Sequence, residues 1–314
     1  MADRTTALLV PPRSPQAPKP GPGGLPLGLL KTARPRQWIK NVLVVAAPAA
    51  AGELFSRHAL GQLALVFALF TAAAAAVYLI NDARDAEADR AHPTKCRRPV
   101  AAGAVPVPVA YATGGALAVA APLAAAALCT PLTACLLAAY VVMQLAYCVS
   151  LKHVLVVDLA VVTTGFLMRA MIGGVALGIP LSRWFLITTG FGALFMVSAK
   201  RYSEAVQMAG RAGATRALLT EYTTGYLRFV WQLAAGVAVL AYCLWAMESG
   251  TAGTGVLPWR QLSMVAFILA ILRYAVFADR GTAGEPEDVV LHDRALAVIG
   301  LGWLAMYGLA VADW

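Results

Sequence analysis

The sequence predicts an all-α, polytopic membrane protein, and three observations predict it. Of its 314 residues 60% are hydrophobic and only 13% charged, with a mean hydropathy of +0.70. A soluble domain carries about 25% charged residues. Apolar runs near twenty residues long recur along the chain, the length at which a helix crosses a bilayer. Lysine and arginine collect on alternate connections between those runs, the signature of a fixed topology.

Residues 1–27 are rich in Pro, Gly and Ala, with scattered Arg4, Arg13 and Lys19, and read as a disordered tail. Their one apolar run, Ala7 to Val10, is too short for a signal-peptide core. Residues 28–314 read as one membrane domain. It opens with a basic, aromatic-bearing interfacial helix over 31–40, which puts Arg34, Arg36 and Trp38 at headgroup depth. Nine spans are then expected, near 41–54, 59–80, 105–128, 132–149, 154–175, 184–198, 226–247, 262–277 and 295–311, the first and sixth being short.

With the N-terminus inside, the internal side receives the basic residues of the tail and interfacial helix, Arg84 to Arg98, Lys152, Lys200, Arg201, Arg211, Arg216 and Arg280. The opposite side holds only Arg57, Arg183 and Arg260, so the working face is expected in the cytoplasm and the C-terminal Trp314 outside. This distribution accounts for the net charge of +9 without a nucleic-acid partner. The five cysteines show no CxxC spacing and read as membrane-packing or cytoplasmic thiols.

The chemistry concentrates where the second span ends, in Tyr78-Leu-Ile-Asn-Asp-Ala-Arg-Asp-Ala-Glu-Ala-Asp89. On a helix Asn81, Asp82, Asp85 and Asp89 fall within an arc of roughly 100°, with Tyr78 inside it. A solvated helix end explains one such carboxylate. Four acidic or amide groups beside the basic Lys95, Arg97 and Arg98 fit a divalent metal carrying a phosphate ester better. Asn81 and Asp85 are the leading Mg²⁺ ligands, and Asp82 and Asp89 are further ligands or their support. Lys95 and Arg98 are expected on phosphate oxygens, which makes Asp85, Asn81 and Lys95 the catalytic candidates.

Three further stretches carry charge. Tyr147 and Lys152 close the fourth span. Asp158 and Arg169 lie inside the fifth, roughly 16 Å apart along the axis, so each must find its own partner. Lys200-Arg201-Tyr202-Ser203-Glu204 leaves the sixth span as a run able to grip phosphate. The acidic Gly284-Glu285-Pro286-Glu287-Asp288 is open to three readings: a cap over the site, a metal ligand, or a helix start.

On Asn81-Asp82-x-x-Asp85-x-x-x-Asp89 after the second span and a second polar motif after the sixth, the chain resembles the UbiA superfamily of intramembrane prenyltransferases. The resemblance implies a helical bundle around a central cavity in which aspartate-rich motifs bind magnesium diphosphate. The second motif departs from that pattern, because Lys200 and Arg201 stand where aspartates are usual. Over residues 29–312 the chain more closely resembles the decaprenyl-phosphate phosphoribosyltransferase branch. Arg34-Pro-Arg-Gln-Trp38-Ile-Lys40-Asn41, His92-Pro-Thr-Lys95, Leu151-Lys-His153, Phe195-Met-Val-Ser-Ala-Lys200-Arg201-Tyr202 and Gly284-Glu-Pro-Glu-Asp288 carry that likeness.

What this branch implies is transfer of a 5-phosphoribosyl group from phosphoribosyl diphosphate (PRPP) to polyprenyl phosphate. Diphosphate is released, Mg²⁺ assists, and the reaction lies at the plasma membrane on the way to cell-wall arabinan. Lys40, Lys152, Lys200 and Arg201 would bind the 5-phosphate or the lipid phosphate, in a division the sequence leaves open. Tyr78 would pack near the ribose or hydrogen-bond phosphate, and Tyr147 and Tyr202 would contact substrate. Two alternatives stand beside this reading: a prenyl transfer from prenyl diphosphate to an aromatic acceptor, and a transporter with intramembrane charges. Self-association into a homo-oligomer is left open.

Overall fold

The computed structural model describes residues 24–54, 57–208, 221–248 and 257–311. Most of the expected tail, Arg211, Arg216 and Trp314 therefore lie outside the described residues. The described chain folds into helices with no strand. Its α-helices are α1 (Gly24–Thr32), α2 (Ala46–Ala50), α3 (Arg57–Arg84), α4 (Ala86–Ala91), α5 (Val107–Leu128), α6 (Pro131–Val149) and α7 (Val157–Ala176). They continue as α8 (Arg183–Met208), α9 (Thr224–Glu248), α10 (Trp259–Asp279), α11 (Pro286–His292) and α12 (Arg294–Val311).

Six of these are long and apolar enough to cross a membrane: α3, α5, α6, α7, α9 and α10. The pair α11–α12, bent by 84°, makes a seventh if it counts as one span. The expected nine spans are not reproduced one for one. The first is not a single helix, because Pro35–Val45 is 3-10 and only five residues of α2 follow it. The sixth is longer than expected: α8 runs 26 residues and carries Lys200, Arg201 and Glu204 in its last third.

The expected interfacial helix over 31–40 is also corrected. α1 stops at Thr32, and Arg34 takes a left-handed conformation with φ 56° before the 3-10 segment. Pro35 is the cause, since its ring disfavours the right-handed helical region for the residue before it. Thr130 caps α6, its Oγ1 accepting the Thr133 N–H at 3.2 Å, with Pro131 at the first helical position, where a missing N–H costs nothing.

Successive long helices run antiparallel, with α3 against α5, α8 against α9 and α10 against α12 as the main pairs. One apolar core lies among α3, α5, α6 and α7 around Phe70, Leu137 and Ile172. A second lies among α7, α8, α9 and α10 around Phe195, Leu227 and Trp231. Arg169 ties the 3-10 segment into the first core. Its Nε donates to Asn41 Oδ1 at 2.9 Å and its Nη2 to the Tyr140 hydroxyl at 2.9 Å, while Asn41 Nδ2 reaches Thr71 Oγ1 at 3.0 Å. The guanidinium also lies over the rings of Phe70, Tyr140 and Phe166. Arg169 and Asp158 thus do find separate partners.

The same contact explains one glycine. A Cβ on Gly173 would run into the carbonyl oxygen of Val44, so α7 lies directly on the 3-10 backbone there. Gly173→Ala is expected to destabilise the protein by about 1–3 kcal/mol, the usual cost of overpacking a filled interior. The midpoint of thermal unfolding in detergent measures it, and an unchanged midpoint would contradict the close approach.

Candidate active site

The antiparallel order brings the polar ends of the helices to one face of the bundle. There the C-terminal ends of α3, α6, α8 and α10 meet the N-terminal ends of α5, α7, α9 and α11. The acidic stretch sits at the joint between α3 and α4. α3 ends at Arg84 and α4 begins at Ala86, yet the backbone bonds from Asp85 N to Asn81 O and from Asp89 N to Asp85 O carry the helical register across. This register keeps the carboxylates on one side, as their spacing predicts.

They do not share one ligand, however. Asp82 and Asp89 are both buried and are joined by Arg98, whose Nη1 lies 3.3 Å from Asp82 Oδ1 and 2.7 Å from Asp89 Oδ2. Arg34 adds a second guanidinium at 2.6 Å from Asp82 Oδ1 and lies over the Tyr78 ring at 4.7 Å. Asp85 instead takes Lys152, whose Nζ is 3.1 and 3.2 Å from its two oxygens. Asn81 is half-buried with its amide making no hydrogen bond among the described residues.

A second network joins α6, α7 and α8. Asp158, at the start of α7, accepts the Tyr147 hydroxyl at 2.5 Å and Arg201 Nε at 3.2 Å. Arg201 Nη1 continues to Glu204 Oε2 at 3.1 Å, and Lys200 Nζ is 3.8 Å from Glu204 Oε1. Tyr202 turns away into the core, packed on Trp231, with its hydroxyl accepting Arg228 Nη2 at 2.6 Å. Lys200, Arg201 and Tyr202 therefore have different partners: Glu204, Asp158 with Glu204, and Arg228. Neighbours on a helix point about 100° apart, which sends Tyr202 into the core while Lys200 and Arg201 still share Glu204.

Two more expected residues make no ion pair with the acidic joint. Lys95 is exposed on a 3-10 turn, and its side chain makes no hydrogen bond or ion pair among the described residues. Lys40 pairs with Glu287 of α11 at 2.7 Å, which fixes the acidic turn over the start of the bundle's first segment. Of the three readings for that turn, Pro286 at the head of α11 matches the helix start. Sequence reasoning missed Arg34 as the partner of Asp82, Glu287 as the partner of Lys40, and Tyr222, whose hydroxyl accepts the Val156 N–H at 2.8 Å. For Arg34 a signal was present, since Arg-Pro marks a break that can aim the arginine inward.

Among the described residues no group of three or more His, Cys, Asp or Glu side chains could hold a metal by itself. Magnesium does not need one. It keeps several waters and binds through one or two carboxylates plus substrate phosphates. Asn81 and Asp85, one turn apart and not committed to an arginine, fit that donor set. Asp82 and Asp89, bound by Arg34 and Arg98, fit the part of support rather than ligand.

Comparison with known proteins places the fold. Solved structures of a UbiA homologue from Archaeoglobus fulgidus, one bound to GPP and Mg²⁺, share the fold with a TM-score of 0.66 at 17% identity, covering 91% of this chain and all of that one. A digeranylgeranylglyceryl phosphate synthase structure matches at a TM-score of 0.65 and 13% identity over 92% of this chain and 99% of its own. The decaprenyl-phosphate phosphoribosyltransferase of Mycobacterium tuberculosis is 51% identical over 93% of this chain and 96% of the relative. Its namesakes in Mycolicibacterium smegmatis and Corynebacterium glutamicum are 48% and 47% identical, over 92% of this chain in each case and over 94% and 88% of the relatives. The model of the UbiA prenyltransferase family matches residues 42–299, and with these relatives it shows that this multi-pass membrane protein belongs to the UbiA prenyltransferase family.

Proposed function

We propose that the protein transfers a 5-phosphoribosyl group from PRPP to a polyprenyl phosphate such as decaprenyl phosphate, releasing diphosphate. One observation carries the reading: the site is chemically lopsided. The α3–α4 joint offers an amide and a carboxylate free of arginine, Asn81 and Asp85. The facing elements offer cations, Lys152 beside Asp85 and Lys200 on α8, with Lys40 on the 3-10 segment. A donor with diphosphate at C1 and phosphate at C5, meeting an acceptor that is itself a phosphate, needs one metal end and several cationic contacts. The names of the relatives at about half identity support the same substrates.

In this mechanism Asn81 and Asp85 would hold Mg²⁺ and with it the donor diphosphate, and Tyr78, under Arg34, lies beside them on the same arc. Bound Mg²⁺ supplies charge withdrawal from the departing diphosphate. Lys152 trades its contact with Asp85 for a diphosphate oxygen and helps carry the developing charge. A phosphate oxygen of the lipid forms the new bond at C1 as the C1–diphosphate bond breaks, and the bonding pair leaves with the diphosphate. No proton moves, because the attacking oxygen is already anionic; accordingly no general base is assigned. Lys40 and Lys200 are left for the remaining phosphates. The positive-inside pattern supports a cytoplasmic position for this face, in a plasma membrane that would carry the lipid acceptor, and the product would feed cell-wall arabinan synthesis.

The test gives purified protein labelled PRPP with polyprenyl phosphate and, separately, a prenyl diphosphate with an aromatic acid. Label is expected in the lipid fraction of the first reaction only, lost with EDTA and restored by Mg²⁺. Product only in the second reaction would replace this reading with prenyl transfer.

A further inference from the structure

A three-residue turn links the two halves of the site, and nothing so far explains why it is held. Val156 has φ 67° and ψ −44°, and Val157 N donates to Leu155 O at 2.7 Å. This is a γ-turn with positive φ, rare and strained for any L residue and more so for a β-branched one. Strain of this kind costs on the order of 1–3 kcal/mol and persists only where the surroundings fix it. The Val156 side chain gives nothing back, since it is 55% exposed. What the turn does is geometric. Four residues before it Lys152 reaches Asp85 on the α3 side; two residues after it Asp158 reaches Arg201 on α8.

The hydrogen bond that holds the turn from outside comes from beyond this segment. The Tyr222 hydroxyl, just ahead of α9, accepts the Val156 N–H at 2.8 Å, and the Tyr222 ring is buried and stacked on Tyr226. Burial pushes the Tyr222 hydroxyl above the usual phenol range, which favours the neutral acceptor.

We infer that Tyr222 is a positioning residue for the transfer reaction: through its bond to the Val156 amide it sets the turn that places Lys152 against the acidic joint and Asp158 against Arg201. The inference rests on the proposed function only for its activity readout. Loss of the hydroxyl lets Val156 relax to negative φ, which rotates both ends of the turn. A glycine at 156 adopts the positive φ without strain and keeps the turn without help.

The experiment compares wild type, Tyr222→Phe and the double variant Tyr222→Phe/Val156→Gly, each purified in detergent. Tyr222→Phe is expected to lower kcat/KM about tenfold and to speed hydrogen exchange at the Val156 amide. The double variant is expected to return kcat/KM to within about threefold of wild type. Packing alone would leave the exchange rate and the activity of Tyr222→Phe unchanged, or leave the activity lost in the double variant; either result overturns the inference. If wild type uses a prenyl diphosphate instead of PRPP, the proposed function falls. The same three proteins are then compared with that donor, and the exchange rate judges the turn independently.

Discussion

Asp85→Ala is expected to reduce phosphoribosyl transfer by about a thousandfold, the scale of the several kcal/mol that metal-assisted charge stabilisation supplies. The protein should stay folded, and the reason lies in where Asp85 sits. Its side chain is 28% exposed at the joint between α3 and α4, and Lys152, its partner, is 17% exposed. A pair this open to solvent contributes up to about 1 kcal/mol, so its loss leaves the unfolding midpoint nearly unchanged. Activity falls for a separate reason. Asp85 is the one carboxylate of the acidic arc not bound to an arginine, so no neighbour replaces it as ligand. Asp85→Asn, which keeps an oxygen donor but not the charge, should fall between the two and need more Mg²⁺ for half-maximal rate. Turnover of Asp85→Ala close to wild type would remove this residue from the metal site.

The parts of this molecule that local chemistry specifies were legible in the sequence. The helices α3, α5, α6, α7, α9 and α10 follow from apolar length alone, and the arc from Asn81 to Asp89 follows from helical spacing. The different partners of Arg201 and Tyr202 follow from the 100° step between their side chains. The break in the expected interfacial helix over 31–40 was also written in the chain, at Arg34-Pro35. The pairings were not legible. Arg34 with Asp82, Lys152 with Asp85, and Lys40 with Glu287 join residues 48, 67 and 247 positions apart, and which cation meets which carboxylate depends on packing across the bundle. Nor does anything local force Val156 to positive φ; the turn exists because Tyr222 reaches it from another element.

Those pairings assign Arg98 a different task from the one its sequence context suggests. Arg98→Ala is expected to cost roughly 3 kcal/mol of stability, the low end for breaking a buried pair, since the Arg98 side chain is 27% exposed. The two carboxylates it joins are affected unequally. Asp82 keeps Arg34 at 2.6 Å, whereas the Asp89 side chain, 5% exposed, loses its only ion pair among the described residues. Adding Asp89→Asn removes the stranded charge, so the double variant should regain most of the lost midpoint in thermal unfolding. Lys95→Ala provides the contrast: an exposed lysine three residues away, with no partner to strand, should shift stability by less than about 0.5 kcal/mol. A double variant no more stable than Arg98→Ala alone would show that Arg98 does not act through Asp89. If stability returns and activity returns with it, Arg98 serves the site by keeping two carboxylates buried and apart from the metal, and Asp85 is left to bind it.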